Sequence, residues 1–529
     1  MRRSSAIALI ALALGGAPAA GQLLDATLVP RGRLRLQAHP SFTAWDSRFG
    51  VAPDGTEREE ELGGDLTDPT GLSIYPGASA MIGAVESIIG APYAPTLGDA
   101  RGRVTQDVTR IDFGGHVGVF DWLTVGVVVP WMQTRTAVDL FFAPDSAGGS
   151  DLGISPAVTS GSSVQSYLTG LEGAVSAAAA NATTACAGGA SATCTSAQAL
   201  ADRATALFGS AGAAYGASPF FPMTGSAAAT ALATVSSGLD ADLMAAGLSG
   251  IGATMPFATE LVGSDEFRRL AATAGAGIEA FPLRTRRDLW RTGDVEVSAL
   301  VRLLERRARR AEGGEEIRGL TYRLTGGVLW RLPTGTPPQP DNALDVGTGD
   351  GQTDVEGRVI AMLAFGPIRL SAGALYGVQS ETTLTRRVVP PEVVVAPLST
   401  RRSVRWSPGS YVSLEIEPAI RVTDDLSLVG VARYFEKRRD EFALVEPDPG
   451  LDATVLALES GVKLTQVGGG LRYSTVASWR DGVATRPLEL HVRLMHARSG
   501  NGGHTPVTTR VEAGVRLFRR FWGPEPPTR

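Results

Sequence analysis

Acidic and basic side chains recur at two-residue intervals along several short stretches of this 529-residue chain. Asp354, Glu356 and Arg358 do so, as do Glu415 and Glu417, then Arg421, and also Glu489 with Arg493 and Arg510, Glu512 and Arg516. Glu296, Arg302, Arg323, Arg331 and Arg369 fit the same rhythm in neighbouring stretches. Alternate residues of a strand share a face. Acids and arginines on adjacent strands can therefore pair, stiffen a wall and polarise the space before it. Catalytic arrangements are not evident. The five histidines, His39, His116, His491, His496 and His504, are scattered, and neither a Gly-x-Ser-x-Gly elbow nor a His-Glu-x-x-His helix occurs. A hydrolase would have to draw on Ser499 with His496 or His504, where ordinary loop polarity is the simpler reading. Asp345, Asp350 and Asp354 alternate with glycines but do not match an EF-hand loop. No enzyme activity, metal or cofactor is expected.

Strands must position these charges. Leu320, Tyr322, Leu324, Val328, Trp330 and Leu332 alternate with Thr321, Arg323, Thr325 and Arg331. Val355, Val359, Ala361 and Leu363 oppose Asp354, Glu356 and Arg358. Similar alternation covers 33–44, 368–379, 412–422, 426–434, 488–494 and 507–517, and a hairpin spans 111–136. In that hairpin the Val127-Val128-Val129 run reads as buried on both faces. The segments 73–90 and 452–465 are ambiguous. In lipid every backbone polar group needs an internal partner, so only helices and closed barrels span a bilayer. A barrel strand shows apolar groups to lipid and polar ones to the lumen.

Short turns at Asp121-Trp122, Gly366-Pro367 and Asp424-Asp425 alternate with long polar loops at 46–72, 335–351, 380–408 and 436–450. That asymmetry, with Trp45, Trp131, Trp290, Trp330, Trp479 and Trp522 near strand ends, fits a membrane barrel with interfacial girdles. The fold class read from the sequence is an all-β transmembrane antiparallel barrel. It has about 12 strands, an even number between 10 and 16, and a large helical insertion.

Composition agrees. Arg2 and Arg3, the apolar run Ala6–Leu14 and Ala17-Pro18-Ala19 make a signal peptide over 1–21, too short to span a bilayer as a helix. A net charge of −5 and the absence of basic clusters interleaved with aromatics exclude nucleic acid as a partner. Lys437 and Lys463 are the only lysines, so the usual lysine guard of soluble sheet edges is missing. Barrel strands are assigned to 22–138 and 290–522, with a short tail at 523–529.

Residues 139–289 break the alternation. Ala, Gly, Ser and Thr dominate, and Val164, Tyr167, Leu168, Leu171 and Val175 share a helical face. Ser196 is the expected cap of a second helix, a third includes Leu232–Met244, and a fourth begins at Ser264, where Asp265 and Glu266 suit a first turn. Cys186 and Cys194, in an exported chain, are expected to form a local disulfide. The insertion starts outside the membrane, as a plug entering the lumen or as a cap.

Several motifs resemble the outer-membrane channel family of the phenol-degradation meta-pathway, related to long-chain fatty-acid transporters. They are Phe120-Asp121-Trp122-Leu123 through Pro130, Gly293-Asp294-Val295-Glu296, Leu332-Pro333-Thr334-Gly335, and Gly347-Thr348-Gly349 leading to Gly366-Pro367, with 486–518 like the terminal hairpin. The resemblance implies a barrel and the uptake of small apolar or aromatic compounds; the insertion departs from the family pattern. The expected setting is the bacterial outer membrane, with lipid, a small-molecule solute and the barrel-insertion machinery as partners. The alternative is a closed structural barrel displaying a helical binding module.

Overall fold

The computed structural model describes residues 28–51, 56–144, 151–306, 309–310, 317–342, 344–391, 393–480, 483–501 and 505–522. The signal peptide expected over 1–21, the 523–529 tail and His504 lie outside the described residues.

Alternating stretches become strands because each places one apolar and one polar row on opposite faces. Twelve of them form the wall: β1 Arg33–Trp45, β2 Gly98–Phe120, β3 Leu123–Pro144, β4 Val295–Arg306, β5 Thr321–Leu332, β6 Asp354–Phe365, β7 Ile368–Gln379, β8 Tyr411–Arg421, β9 Leu426–Lys437, β10 Val462–Ser474, β11 Leu488–Gly500 and β12 Thr509–Arg520. Each pairs antiparallel with its neighbour in sequence. The ring closes where Leu36 of β1 opposes Leu517 of β12. The fold is therefore a closed all-β antiparallel barrel of twelve strands with a helical insertion. No helix among the described residues is long and apolar enough to cross a membrane.

The outer face is apolar. Val359, Leu363, Ile416, Val492 and Val511 are all exposed, while their alternate neighbours are buried or half-buried. Trp122 and Trp131 lie nine residues apart on the outer surface of the β2–β3 hairpin and both are exposed. At ~3.3 Å per residue and a tilt of ~40°, that separation is roughly 23 Å across the membrane, matching the height of an outer-membrane apolar band. Phe120 and Trp122 stack at 5.3 Å on the turn side.

Three expectations are corrected. Val127 and Val129 face outward and only Val128 faces in, so the valine run is an ordinary lipid-facing strand with one inward valine. Trp45 is buried and donates to Gln106 Oε1 at 3.1 Å, inside the wall rather than in a girdle. Val507 precedes β12, is buried, and donates its backbone N–H to Ser47 O at 3.0 Å.

The turns at 121–122, 366–367 and 422–425 lie at one end, with Gly366 at φ 55° supplying the left-handed conformation its turn needs. All long connections except 307–320 and 475–487 leave from the other end. Strands β2 and β3, 23 and 22 residues long, rise beyond the membrane band into that region. Sequence reading ends this hairpin near 136; the paired run Thr105↔Ala137 to Gly98↔Pro144 extends it.

The helices pack on this extension. The segment 73–90, ambiguous by pattern, holds α1 Ala78–Ile89, closed at its end by Gly90 at φ 68°. Inside the insertion stand α2 Gly161–Cys186, α3 Ala192–Ala217, α4 Ala227–Ala245 and α5 Ser264–Arg269. Ser191, and not the expected Ser196, caps α3, accepting from Cys194 N, because the helix starts a turn earlier and holds Ser196 inside it; Ser226 caps α4, accepting from Ala229 N. Their apolar faces join Leu62, Leu66, Val104, Val138, Leu140 and Phe142 in one core. Phe142 stacks on Phe267 of α5 at 4.5 Å, and Tyr75 meets Phe220 and Phe267 edge-on. A disulfide joins Cys186 to Cys194 between α2 and α3. The insertion thus sits on the loop end of the barrel, against the raised wall.

Candidate functional site

The barrel interior is the site to consider, because that is where the strand pattern concentrates charge. Glu296, Arg331, Asp354, Glu356, Arg358, Glu415, Glu417, Arg493, Glu512 and Arg516 are all buried, Asp354 and Glu356 completely. Arg302, Arg323, Arg369, Glu489 and Arg510 are half-buried. Arg421 ends β8 and is exposed at the turn-end rim, outside the enclosed interior.

Two arginine hubs organise these groups. Arg331 on β5 pairs with Asp354, with Glu356 at 2.9 Å and with Glu296 at 3.7 Å. Glu296 also receives Arg110 of β2 at 3.3 Å, and Arg110 meets Asp112 at 2.6 Å. Arg358 lies 3.6 Å from Glu356, and Tyr411 donates its hydroxyl to Glu356 Oε1 at 2.7 Å. Tyr411 fits because its register partner is Gly377: a Cβ there would lie 2.2 Å from the tyrosine ring. The second hub is Arg493 on β11. It reaches Glu417 at 3.0 Å, Glu512 at 2.7 Å and Glu415 at 3.8 Å. Arg433 Nε donates to Glu415 at 2.9 Å, Arg472 pairs with Glu417 at 2.7 Å and Arg510 with Glu512 at 3.2 Å.

Towards the turn end two smaller pairings remain. Glu305 accepts from Arg302 at 2.8 Å and from Arg323 Nε at 3.1 Å. Arg516 lies 3.5 Å from Glu489. Arg110, Asp112, Glu305, Arg433 and Arg472 are members that the sequence reading left out. Arg110 and Asp112 share the two-residue rhythm, so their spacing was the available signal. Glu305 follows a register shift between Arg302 and Leu304, which moves it out of the alternation.

Buried ion pairs at these depths hold because Glu296, Glu356, Glu415, Glu417 and Glu512 each have more than one cationic or hydroxyl partner. Other polar groups in the same interior are less provided for. Gln37 and His39 on β1, Ser371 on β7 and Ser413 on β8 are at most 5 % exposed. Their side-chain polar atoms make no hydrogen bond with the described residues. His39 faces His491 edge-on at 5.2 Å. An interior this polar is suited to water and polar solute groups rather than to an oily core.

Of the residues read as catalytic or metal candidates, His504 lies outside the described residues, and His496, Asp345, Asp350 and Asp354 have partners of their own. His496 faces outward, with Nδ1 2.9 Å from Thr509 Oγ1. Asp345 accepts from Gln339 N at 2.8 Å, while Asp350 and Asp354 share Gln379 Nε2 at 3.2 Å each. Among the described residues no group of three or more His, Cys, Asp or Glu side chains is placed to hold a metal ion.

No family model matches the chain, and no curated protein matches it in sequence. Among solved structures it is similar to the COG4313 outer membrane channel from Pseudomonas putida F1, at 8 % identity over 94 % of this chain and 98 % of that one, with a TM-score of 0.39. It is similar to the toluene transporter TbuX of Ralstonia pickettii, at 9 % identity over 98 % and 100 % of the two chains, with a TM-score of 0.28. A FadL homologue of Pseudomonas aeruginosa matches at 9 % identity over 93 % and 91 %, with a TM-score of 0.24. What the chain itself shows is the fold: a sealed twelve-strand antiparallel barrel, apolar outside and charged within, carrying a helical cap.

Proposed function

We propose that this chain is an outer-membrane channel for the passive passage of small solutes, capped on its loop side by the helical insertion and narrowed by the two arginine hubs, that of Arg331 near the loop-side ends of β5 and β6 and that of Arg493 midway along β11. The observation that carries the reading is the contrast across the wall. Apolar groups such as Val359 and Ile416 face out, while an interior of ionised groups also holds Gln37, His39, Ser371 and Ser413 without hydrogen bonds to the described residues. An arginine on the lipid face near the midplane would cost about 2–4 kcal/mol, so the chain keeps its charges in the lumen. A lumen serving structure alone would be cheaper to fill with aliphatic side chains.

The finer reading is that the solutes are small apolar or aromatic compounds. It is supported by a cavity in the cap with an apolar side formed by Phe281, Val394 and Leu456. Single-channel recording in planar bilayers tests the function. The folded barrel is expected to conduct in small steps. A folded barrel that neither conducts nor changes solute uptake by cells would overturn it.

The density of ion pairs favours a second reading, a barrel held shut that displays the helices. Joining β3 to β4 by a short linker in place of 151–285 separates the two. Larger conductance supports the capped channel, whereas unchanged uptake with loss of a surface partner supports display.

A further inference from the structure

A cavity of about 100 Å³, open on one side, lies in the cap between the tail of the insertion, the 338–345 loop and the 386–396 loop. Phe281, Pro282, Pro338, Val393, Val394 and Leu456 give it an apolar side, and Gln339, Asp341, Asn342 and Asp345 line the rest. Two arginines adjoin it, and they differ. Arg387 is fully engaged. It donates to the carbonyls of Ile278, Ala396 and Glu279 and pairs with Asp341 at 2.9 Å, tying the insertion to both loops. Arg386 has one weak contact, Nη1 to Pro338 O at 3.3 Å. Its Nε is buried and donates to nothing among the described residues, where it also forms no ion pair. Among the described residues the acids nearby are taken: Asp341 by Arg387 and Arg401, Asp345 by the backbone of Gln339 and Gly347. Burial pulls the Arg386 pKa down to about 10 against the opposing pull of the Asp345 carboxylate, which leaves it a cation at neutral pH.

We propose that this cavity is a binding site for a compact monocarboxylate with an aromatic or branched apolar body, its carboxylate on the Arg386 guanidinium and its body against Val394, Phe281 and Leu456. A guanidinium presents a fork of donors that matches a carboxylate, and a buried cation gains most from an ionised partner. The size selects the body: an apolar cavity of ~150 Å³ holds benzene, so this opening takes a single ring or a short branched chain with part of it protruding. The site lies in the loop cap, away from the ion pairs of the wall, and its occupancy does not depend on whether the barrel conducts.

The test is calorimetric titration of the folded full-length chain in detergent micelles, with blank micelles subtracted. Sodium benzoate is the probe, and benzyl alcohol and sulfate are the comparisons. Saturable one-to-one binding of benzoate is expected, with benzyl alcohol and sulfate each at least tenfold weaker. Arg386→Met should weaken benzoate at least tenfold, Arg386→Lys less, and Val394→Phe, which fills the cavity, should weaken it without touching the charge. The gel shift between boiled and unboiled protein checks that each variant is folded. Absence of saturable benzoate binding, equal binding of benzyl alcohol or of sulfate, or an Arg386→Met protein that binds as before would each overturn the proposal. Loss of conductance with benzoate binding intact would overturn the channel reading and leave this one standing.

Discussion

Arg331 on β5 and Glu356 on β6 are diagonal neighbours across one strand pair, with Nη2 and Oε1 2.9 Å apart, and neither is more than 3 % exposed. Asp354, the direct register partner of Arg331, shares the same guanidinium. Arg331→Met would leave Asp354 and Glu356 without their main partner and Glu296 with only Arg110. Removing one member of a buried pair costs about 3–5 kcal/mol. The variant should unfold at lower urea than the parent in detergent, and its conductance should rise as the constriction loosens. Unchanged urea midpoint and unchanged conductance together would show that the hub neither holds nor narrows the barrel.

The lipid face is tested by Val359→Arg. Val359 is 47 % exposed in the middle of β6. Folding into bilayers should be about 2–4 kcal/mol less favourable, the range for arginine near the midplane. The measurement is reversible folding into lipid vesicles. A value near zero would place β6 outside the hydrocarbon.

The Cys186–Cys194 disulfide closes a loop with a sequence separation of 8. Loop-closure entropy assigns a crosslink of this length about 2–3 kcal/mol. Its effect should stay in the α2–α3 hairpin, which packs on α1 and not on the lower wall. Reduction, or Cys186→Ser with Cys194→Ser, should speed proteolysis between α2 and α3 severalfold while the boiled-to-unboiled gel shift is retained. Loss of the gel shift would mean that cap and barrel fold as one unit.

Asp68 lies in the first long loop, outside the membrane-spanning strands. Burial alone would raise its pKa, but Thr70 Oγ1 at 2.7 Å and the Ser73 N–H at 3.0 Å bring it below 3.8. A folded pKa below the unfolded one means that the unfolded loop binds more protons. The stabilisation is present above the unfolded pKa and lost as pH falls through the lower folded value. Loop cleavage by an acid-active protease should therefore accelerate as pH falls below 3.8 in the parent. Asp68→Asn should flatten that dependence, and a parallel slope in both proteins would remove Asp68 as its source.

The wall was legible in the sequence because alternation records a two-sided environment. Leu363 and Glu356 fall on opposite faces of β6 as their positions require. The sequence was less informative where tertiary contacts override local pattern. The upper halves of β2 and β3 lose lipid and gain helices, so Leu140 and Phe142 are buried by the cap and Phe141 stays exposed. α1 was ambiguous because Ala78–Ile89 is short and rich in Ala, Ser and Gly, which carry little pattern of their own. The lumen pairs depend on register. Nothing local tells that Arg493 meets both Glu417 and Glu512, on two different strands. Arg386 escaped notice for a related reason, since its isolation is a property of three loops meeting.

Strands β3 and β4 lie side by side in the wall, yet 150 residues separate Pro144 from Val295. Bringing together the ends of so long an unstructured tether costs about 3 kcal/mol more than closing a four-residue turn. Every other seam except β1–β12 joins strands much nearer in sequence. Once the α-helical segment has condensed, its two ends are already drawn close and that penalty disappears. The seam between Val127 and Val297 is therefore easiest to form once the insertion has condensed, so the cap shortens the tether that the wall must close.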